Sequence, residues 1–241
     1  MPVFKKTFTI RYEDVDPYNR LTPSSLTRYL LDVGSAHSDS CGYGYNDIPV
    51  THAVWIILNW KIELYQTPHY ADQITICTWA RKAVRTFCYR DYEILNEKNQ
   101  VIGIATSKWV LIHDQTRKIM TISQDLLAAY GLVNRSVFSD EIQKLKEPAC
   151  AYTNQFDYTI LRRDLDTNHH VNNSNYVDFA CEALPEKIYE NMNFHHMEVM
   201  YKKQTLYQEP ITCLYAFENG KHYVVMKSRD LSDLHAIVVF S

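Results

Sequence analysis

Apolar residues recur along this chain in two periods, and the order of the periods repeats. Lys6–Tyr12 and Phe156–Arg162 alternate apolar with polar, as half-buried strands do. A polar turn follows each, and then a helical spacing. Tyr176, Phe179, Ala180, Ala183 and Leu184 fall at i, i+3, i+4, i+7 and i+8, a single apolar stripe, and Leu26, Tyr29, Leu30, Val33 and Gly34 take the same phases. Thr22 before Pro23 suits the start of the first helix; Asn172, Asn173 and Ser174 are cap residues for the second, which Pro185 should end or bend. Strand patterns then dominate: His52–Tyr65, Gln73–Ala80, Arg85–Leu95 and Val101–His113, and later Met197–Leu206, Ile211–Phe217, His222–Arg229 and Leu234–Phe240. Asn219-Gly220 predicts a tight hairpin between two of them. Ser123–Tyr130 reads as a helix closed by Gly131.

The two halves match residue by residue. Phe8–Asp32 lies over Tyr158–Glu182 at a constant offset of 150, pairing Thr9 with Thr159, Asp14 with Asp164 and Asp16 with Asp166. Leu64-Tyr65-Gln66-Thr67-Pro68 recurs as Leu206-Tyr207-Gln208-Glu209-Pro210. Such a repeat predicts two similar folding units, 1–132 and 155–241, joined by an ordered polar link over 133–154. One helix followed by antiparallel strands, twice, is an α+β pattern with a helix laid against each sheet.

Size and composition narrow the class. A chain of 241 residues accommodates two units, and 46% apolar with 22% charged residues is ordinary for a globular protein. Eighteen tyrosines suit β-rich structure and amphipathic pocket walls. A net charge of −3 gives no argument for nucleic acid or an anionic membrane. Six scattered cysteines (41, 77, 88, 150, 181 and 213) lack paired spacing, so reduced thiols in a cytoplasmic protein are expected. The first residues run straight into a strand pattern without a signal peptide, and no apolar run reaches spanning length, so no membrane insertion is expected.

Chemistry concentrates where the two copies differ. The second copy reads Asp166-Thr167-Asn168-His169-His170 where the first reads Asp16-Pro17-Tyr18-Asn19-Arg20. Residues two apart on an extended or turning backbone point the same way, so a carboxylate, an amide and an imidazole can converge ahead of a helix. Such a group can activate water and stabilise an oxyanion. Asp and Asn are also common turn and cap residues. Both aspartates recur in the first copy and so have a structural task; Asn168 and His170 are what the second copy adds.

The stretch Arg162-Arg163-Asp164-Leu165-Asp166-Thr167-Asn168-His169-His170-Val171-Asn172-Asn173-Ser174-Asn175-Tyr176 resembles the D-L-D-x-N-x-H-V-N-N-x-x-Y segment of acyl-acyl carrier protein (acyl-ACP) thioesterases. Tyr12-Glu13-Asp14-Val15-Asp16-Pro17, Arg20-Leu21, Trp55, Ile62-Glu63, Pro68 and Thr78-Trp79 are similar to that family's N-terminal unit. The resemblance implies two tandem hot-dog domains, each a curled antiparallel β-sheet wrapped around a long central α-helix. It implies hydrolysis of fatty acyl-ACP, releasing free fatty acid and ending chain elongation in fatty acid biosynthesis. The missing plastid leader points to the bacterial type.

Carried over by position, the family's catalytic aspartate, asparagine and histidine match Asp166, Asn168 and His170. A glutamate usual on the following strand is Gln204 here, so a base role moves to Asp166. The next position is Thr205, which removes a cysteine nucleophile, and attack by water is expected. Amides near Val171 and Asn172 would serve the oxyanion. The first copy should be non-catalytic and house the acyl chain, with Trp55, Ile57 and Leu58 as candidate walls or as ordinary core. Arg162-Arg163 and Lys202-Lys203 could steer an acidic carrier protein, or be solvated strand ends. No cofactor or metal is expected: His169-His170 and His195-His196 lack partners at zinc spacing. Two units in one chain leave a functional monomer and a homodimer both open. The competing readings are an acyl-CoA thioesterase, a hot-dog hydratase or dehydratase, and a non-catalytic acyl-thioester-binding module.

Overall fold

A computed structural model describes residues 2–193 and 195–241. The chain divides into two compact units, Met1–Ile142 and Gln143–Ser241. The first runs β1 (Phe4–Thr9), α1 (Pro23–Ser40), α2 (Ile48–Thr51), β2 (Ala53–Leu64), β3 (Gln73–Val84), β4 (Phe87–Asn96), β5 (Val101–His113) and α3 (Gln124–Tyr130). The second runs β6 (Asn154–Thr159), α4 (Asn175–Glu182), α5 (Glu186–Asn191), β7 (His196–Tyr201), β8 (Pro210–Glu218), β9 (Lys221–Ser228) and β10 (Leu234–Phe240). The architecture is α+β, with antiparallel strands and few helices.

Strand order is β1-β3-β4-β5-β2 in the first unit and β6-β8-β9-β10-β7 in the second, the same topology twice. The pairings are antiparallel, and β1 meets β3 at Thr9↔Gln73 as β6 meets β8 at Thr159↔Pro210. Each unit packs a helical stripe on its sheet. Leu26, Leu30 and Val33 of α1 face β1 and β3, while Val177, Phe179 and Ala180 of α4 face β9 and β10. All six are buried, each side chain larger than Ala contributing about 1.5–3 kcal/mol by leaving water.

The helices differ in length, against the expectation of a long helix in each unit. Thr22 Oγ1 accepts the Ser25 N–H at 3.2 Å, and Pro23 fixes the first φ, so α1 starts at once and runs 18 residues. In the second unit Asn172 Oδ1 accepts the Ser174 N–H at 3.0 Å, an Asx turn that delays the helix to Asn175. Pro185 then interrupts it, leaving an eight-residue α4 and a separate α5.

The segment expected as a link divides between the units. Val133 N–H donates to Ala80 O, Trp79 Nε1–H to Arg135 O and Val137 N–H to Asp91 Oδ2, which holds 133–142 on the first unit. Ala149 and Cys150 N–H donate to Glu218 Oε1, and Leu145 and Tyr152 pack beside Met200 and Val225 in the second.

Candidate active site

The turn ahead of each helix is built twice on one plan. In the first, Asp16 Oδ1 accepts the N–H groups of Tyr18 and Arg20, both at 2.9 Å. In the second, Asp166 Oδ1 accepts those of Asn168 at 2.8 Å and His170 at 3.3 Å. Asn19 and His169 hold φ of 60° and 62°, the left-handed bend that closes each turn. The Asp16 and Asp166 N–H groups close the bend onto the carbonyls of Arg20 and His170 at 2.9 and 2.8 Å.

The side chain that meets the aspartate differs between the copies. Arg20 turns back onto Asp16, with Nε and Nη2 each 2.7 Å from Oδ2, and neutralises it. His170 stands in Arg20's place. Asp166 Oδ2 carries no hydrogen bond or ion pair among the described residues. Replacing guanidinium by imidazole thus leaves a half-buried carboxylate with one oxygen locked by backbone and the other outside those hydrogen bonds.

The preceding aspartate anchors the turn and shows why it recurs. Asp14 accepts from the Arg11 amide and guanidinium at 3.0–3.1 Å and from the Tyr29 hydroxyl. Burial pushes its carboxyl up, but Arg11 and Tyr29 outweigh that and hold it below the usual range. Asp164 is held by the Leu161 N–H at 2.8 Å and the Tyr158 hydroxyl at 2.9 Å.

The loop 202–209 passes beside this turn. Val171 N–H donates to Thr205 O at 3.0 Å, and His170 and Leu206 form an antiparallel bridge. Thr205, fully buried, has its hydroxyl 2.8 Å from Tyr176 Oη and donates its N–H to the same oxygen at 3.1 Å. Burial pushes the Tyr176 phenol up to about 12, so it stays a neutral hydroxyl that pins loop to helix. From the other side, the buried His235 places Nδ1 3.1 Å from Lys203 O and Nε2 3.5 Å from Glu209 Oε1. Sequence reasoning missed Tyr176, His235 and Glu209 as loop anchors, because each serves through a partner distant in sequence.

Several expectations change here. The strand expected to run to Leu206 ends at Tyr201, and Gln204 lies exposed on the loop rather than on a strand. Arg20 bridges His69 where His170 bridges Leu206, so Gln204 corresponds to Thr67, and the Leu64–Pro68 likeness to Leu206–Pro210 is out of register. The Val171 and Asn172 amides are already taken, by Thr205 O and by Asp164 O at 2.8 Å, and serve no oxyanion. The structure gathers Asp166, Asn168 and His170 on one turn, with Asn168 exposed, and sets Gln204 on the adjoining loop. Cys213 is fully buried on β8 and burial pushes its thiol up, which suits packing and not attack. Arg162 stacks on Tyr207 at 5.1 Å, and Lys203 pairs with Asp233. In the first unit Ile57 is buried, and Trp55 donates its indole N–H to Tyr130 Oη at 3.0 Å.

The sequence matches the family profiles "Acyl-ACP thioesterase N-terminal domain" over residues 2–130 and "Acyl-ACP thioesterase C-terminal domain" over residues 148–238. It is 27% identical to the chloroplastic oleoyl-acyl carrier protein thioesterase of Coriandrum sativum, across 93% of this chain and 65% of that protein. It is 25% identical to the chloroplastic dodecanoyl-[acyl-carrier-protein] hydrolase of Umbellularia californica, across 84% of this chain and 56% of that protein. The chain therefore spans under two thirds of the length of these relatives. Among solved structures it resembles an acyl-ACP thioesterase from Bacteroides thetaiotaomicron, with TM-score 0.89 at 20% identity over 99% of this chain and 97% of that one. The 12:0-ACP thioesterase from Umbellularia californica gives TM-score 0.87 at 20% identity over 100% and 97%. At such identity the structural likeness speaks for the fold alone. Among the described residues no helix is long and apolar enough to cross a membrane.

Proposed function

The chain belongs to the acyl-ACP thioesterase family, and from that premise we propose that it hydrolyses the thioester of fatty acyl-acyl carrier protein, releasing free fatty acid. The observation that carries this reading is the exchange of Arg20 for His170 beside an aspartate turn with the same backbone hydrogen bonds. One copy neutralises its carboxylate; the other leaves it available next to an imidazole. On this reading each unit is a hot-dog domain, 1–132 the non-catalytic copy that takes the acyl chain and 155–241 the catalytic one.

Asp166, fixed through Oδ1, uses Oδ2 to take a proton from water or to hold the imidazole that does so. Water then adds to the thioester carbonyl, the C–S bond breaks, and the proton passes to the departing thiolate through His170. Asn168 and Gln204, both exposed, hold water or the carbonyl oxygen. Gln204 can orient a water and cannot deprotonate it. The exposed Arg162, Arg163 and Lys202 form a basic rim that an acidic carrier protein would meet.

The test is thiol release from acyl-ACP and acyl-CoA substrates of graded chain length. Asp166→Asn keeps the oxygen that accepts the backbone amides and removes the base, so kcat should fall about 10²-fold or more with the fold intact. His170→Ala should fall similarly. Full activity in both variants would remove the turn from the mechanism. No release by wild type would put the acyl-binding module in first place.

A further inference from the structure

The β2–β5 pairing assembles a second cluster in the first unit. His52 caps α2 in the left-handed region, φ 52°, and its carbonyl accepts the Asp114 N–H at 3.0 Å. Register places Ala53 opposite His113, so His52 lies beside the end of β5. The two imidazoles stack in parallel, centroids 5.1 Å apart and planes 3° apart. Asp114 Oδ1 sits 3.2 Å from His52 Nδ1 and 3.0 Å from His113 Nδ1.

We propose that His52, His113 and Asp114 bind a divalent d-block cation, Zn²⁺ foremost, as a clip between the α2–β2 junction and the end of β5. Neighbouring donors on a metal with bonds of about 2.0–2.2 Å lie about 2.8–3.1 Å apart at right angles and about 3.3–3.6 Å apart on a tetrahedron. The two observed separations lie within a few tenths of an ångström of these spacings before any ion enters. A hydrogen-bonded His–Asp–His cluster is the alternative that the test separates, since His52 Nδ1 lies 3.2 and 3.4 Å from the two Asp114 oxygens. The Gln115 N–H approaches both His113 Nδ1 at 3.3 Å and Asp114 Oδ1 at 2.8 Å, so a cation would take these two acceptors over from the amide.

The donor set decides the class of ion. Two imidazoles and one carboxylate suit Zn²⁺, Co²⁺, Ni²⁺ or Cu²⁺, whereas Ca²⁺ and Mg²⁺ take oxygen shells. Side-chain exposures of 43%, 31% and 23% leave the ion reachable from solvent and room for water in the remaining position. The cluster belongs to the first unit, and the hydrolytic turn of the second does not depend on it.

Co²⁺ titration of the chelator-stripped full chain tests the site, with d–d absorption and the shift in Tm as readouts. Saturation at one equivalent is expected, with Zn²⁺ displacing Co²⁺ and raising Tm as its concentration rises. His52→Ala, His113→Ala and Asp114→Asn should each weaken binding about tenfold or more, while His196→Ala should leave it unchanged. Asp114→Asn keeps an oxygen for the Gln115 amide, so its fold is preserved. Absence of saturable binding, or equal binding by the His52→Ala/His113→Ala double variant, would overturn the proposal.

Discussion

At the residue scale, the two copies deliver a phenol to the same carboxylate from opposite sides. Phe8 and Tyr29 pack as a tilted ring pair with centroids 4.7 Å apart, as Tyr158 and Phe179 do at 4.8 Å. In the first copy the hydroxyl comes from the helix, Tyr29 to Asp14; in the second it comes from the strand, Tyr158 to Asp164. A hydrogen bond to a charged group contributes about 1.5–3 kcal/mol, so Tyr158→Phe should lower unfolding stability by about 1–2 kcal/mol given its partial exposure. Adding Phe179→Tyr should restore most of that loss, a coupling that urea melts of the single and double variants would measure. Additive losses would mean that the hydroxyl's direction, and not its presence, matters. This swap was not legible in the sequence, where aromatic aligned with aromatic and neither ring showed which oxygen it served. Asp166, Asn168 and His170 were legible because a turn fixes side-chain direction locally. Gln204 was legible only as a departure, since its place on a loop depends on Tyr176, Thr205 and His235, all distant contacts.

At the scale of elements, the strands could be read to within a few residues because a two-residue period is local. Every expected strand is present; Met197–Leu206 overran most, five residues past Tyr201 into the loop, and Lys6–Tyr12 and Phe156–Arg162 each overran by three past Thr9 and Thr159. The helix lengths could not be read from apolar phases, since the two stripes match and the difference lies in the caps and in Pro185. Those caps set up a contrast between Thr22 and Ser174. Thr22 Oγ1 accepts the Ser25 amide and touches Ser24 Oγ at 3.3 Å, so Thr22→Ala should cost about 1 kcal/mol. Ser174, Ser24's counterpart, is fully buried with a hydroxyl that has no partner among the described residues. Removing a buried unsatisfied hydroxyl relieves its desolvation cost, so Ser174→Ala should stabilise by about 1 kcal/mol. Chemical denaturation of the two variants gives opposite signs on this account; a loss in both would mean that Ser174 caps α4 after all. The His52–His113–Asp114 cluster was hidden for a different reason, because His52 and His113 meet through strand register.

At the scale of the whole chain, the two units share a response to acid. Burial pushes the carboxyls of Asp14 and Glu147 up, but Arg11 with Tyr29, and Lys227 with Tyr152, hold them below the usual range. Lys82 holds Glu141 down and the Thr212 hydroxyl holds Asp157 down, while Ser228 and Ser232 bring Asp230 to about 2. Each depressed group contributes stability that is present above its unfolded value, about 3.9–4.3, and is lost as pH falls through the folded value. Asp91 runs the other way. Burial raises its carboxyl despite Thr106, the Val137 amide and Arg81, so its contribution is present at low pH and fades as pH rises. With Asp114, whose burial is outweighed by the Gln115 amide and His52, six depressed carboxyls stand against one raised, which predicts a stability plateau near neutrality and a decline below about pH 4. All four tryptophans, Trp55, Trp60, Trp79 and Trp109, lie in the first unit, whereas far-ultraviolet circular dichroism reads both. Depressed carboxyls stand in each unit, Asp14, Asp114 and Glu141 in the first and Glu147, Asp157 and Asp230 in the second, so the two signals should fall over one pH interval. A tryptophan signal that persists after half the dichroism is lost would assign the acid sensitivity to the second unit. In that outcome the unit carrying Asp166 and His170 is the one that sets the lower pH limit of activity.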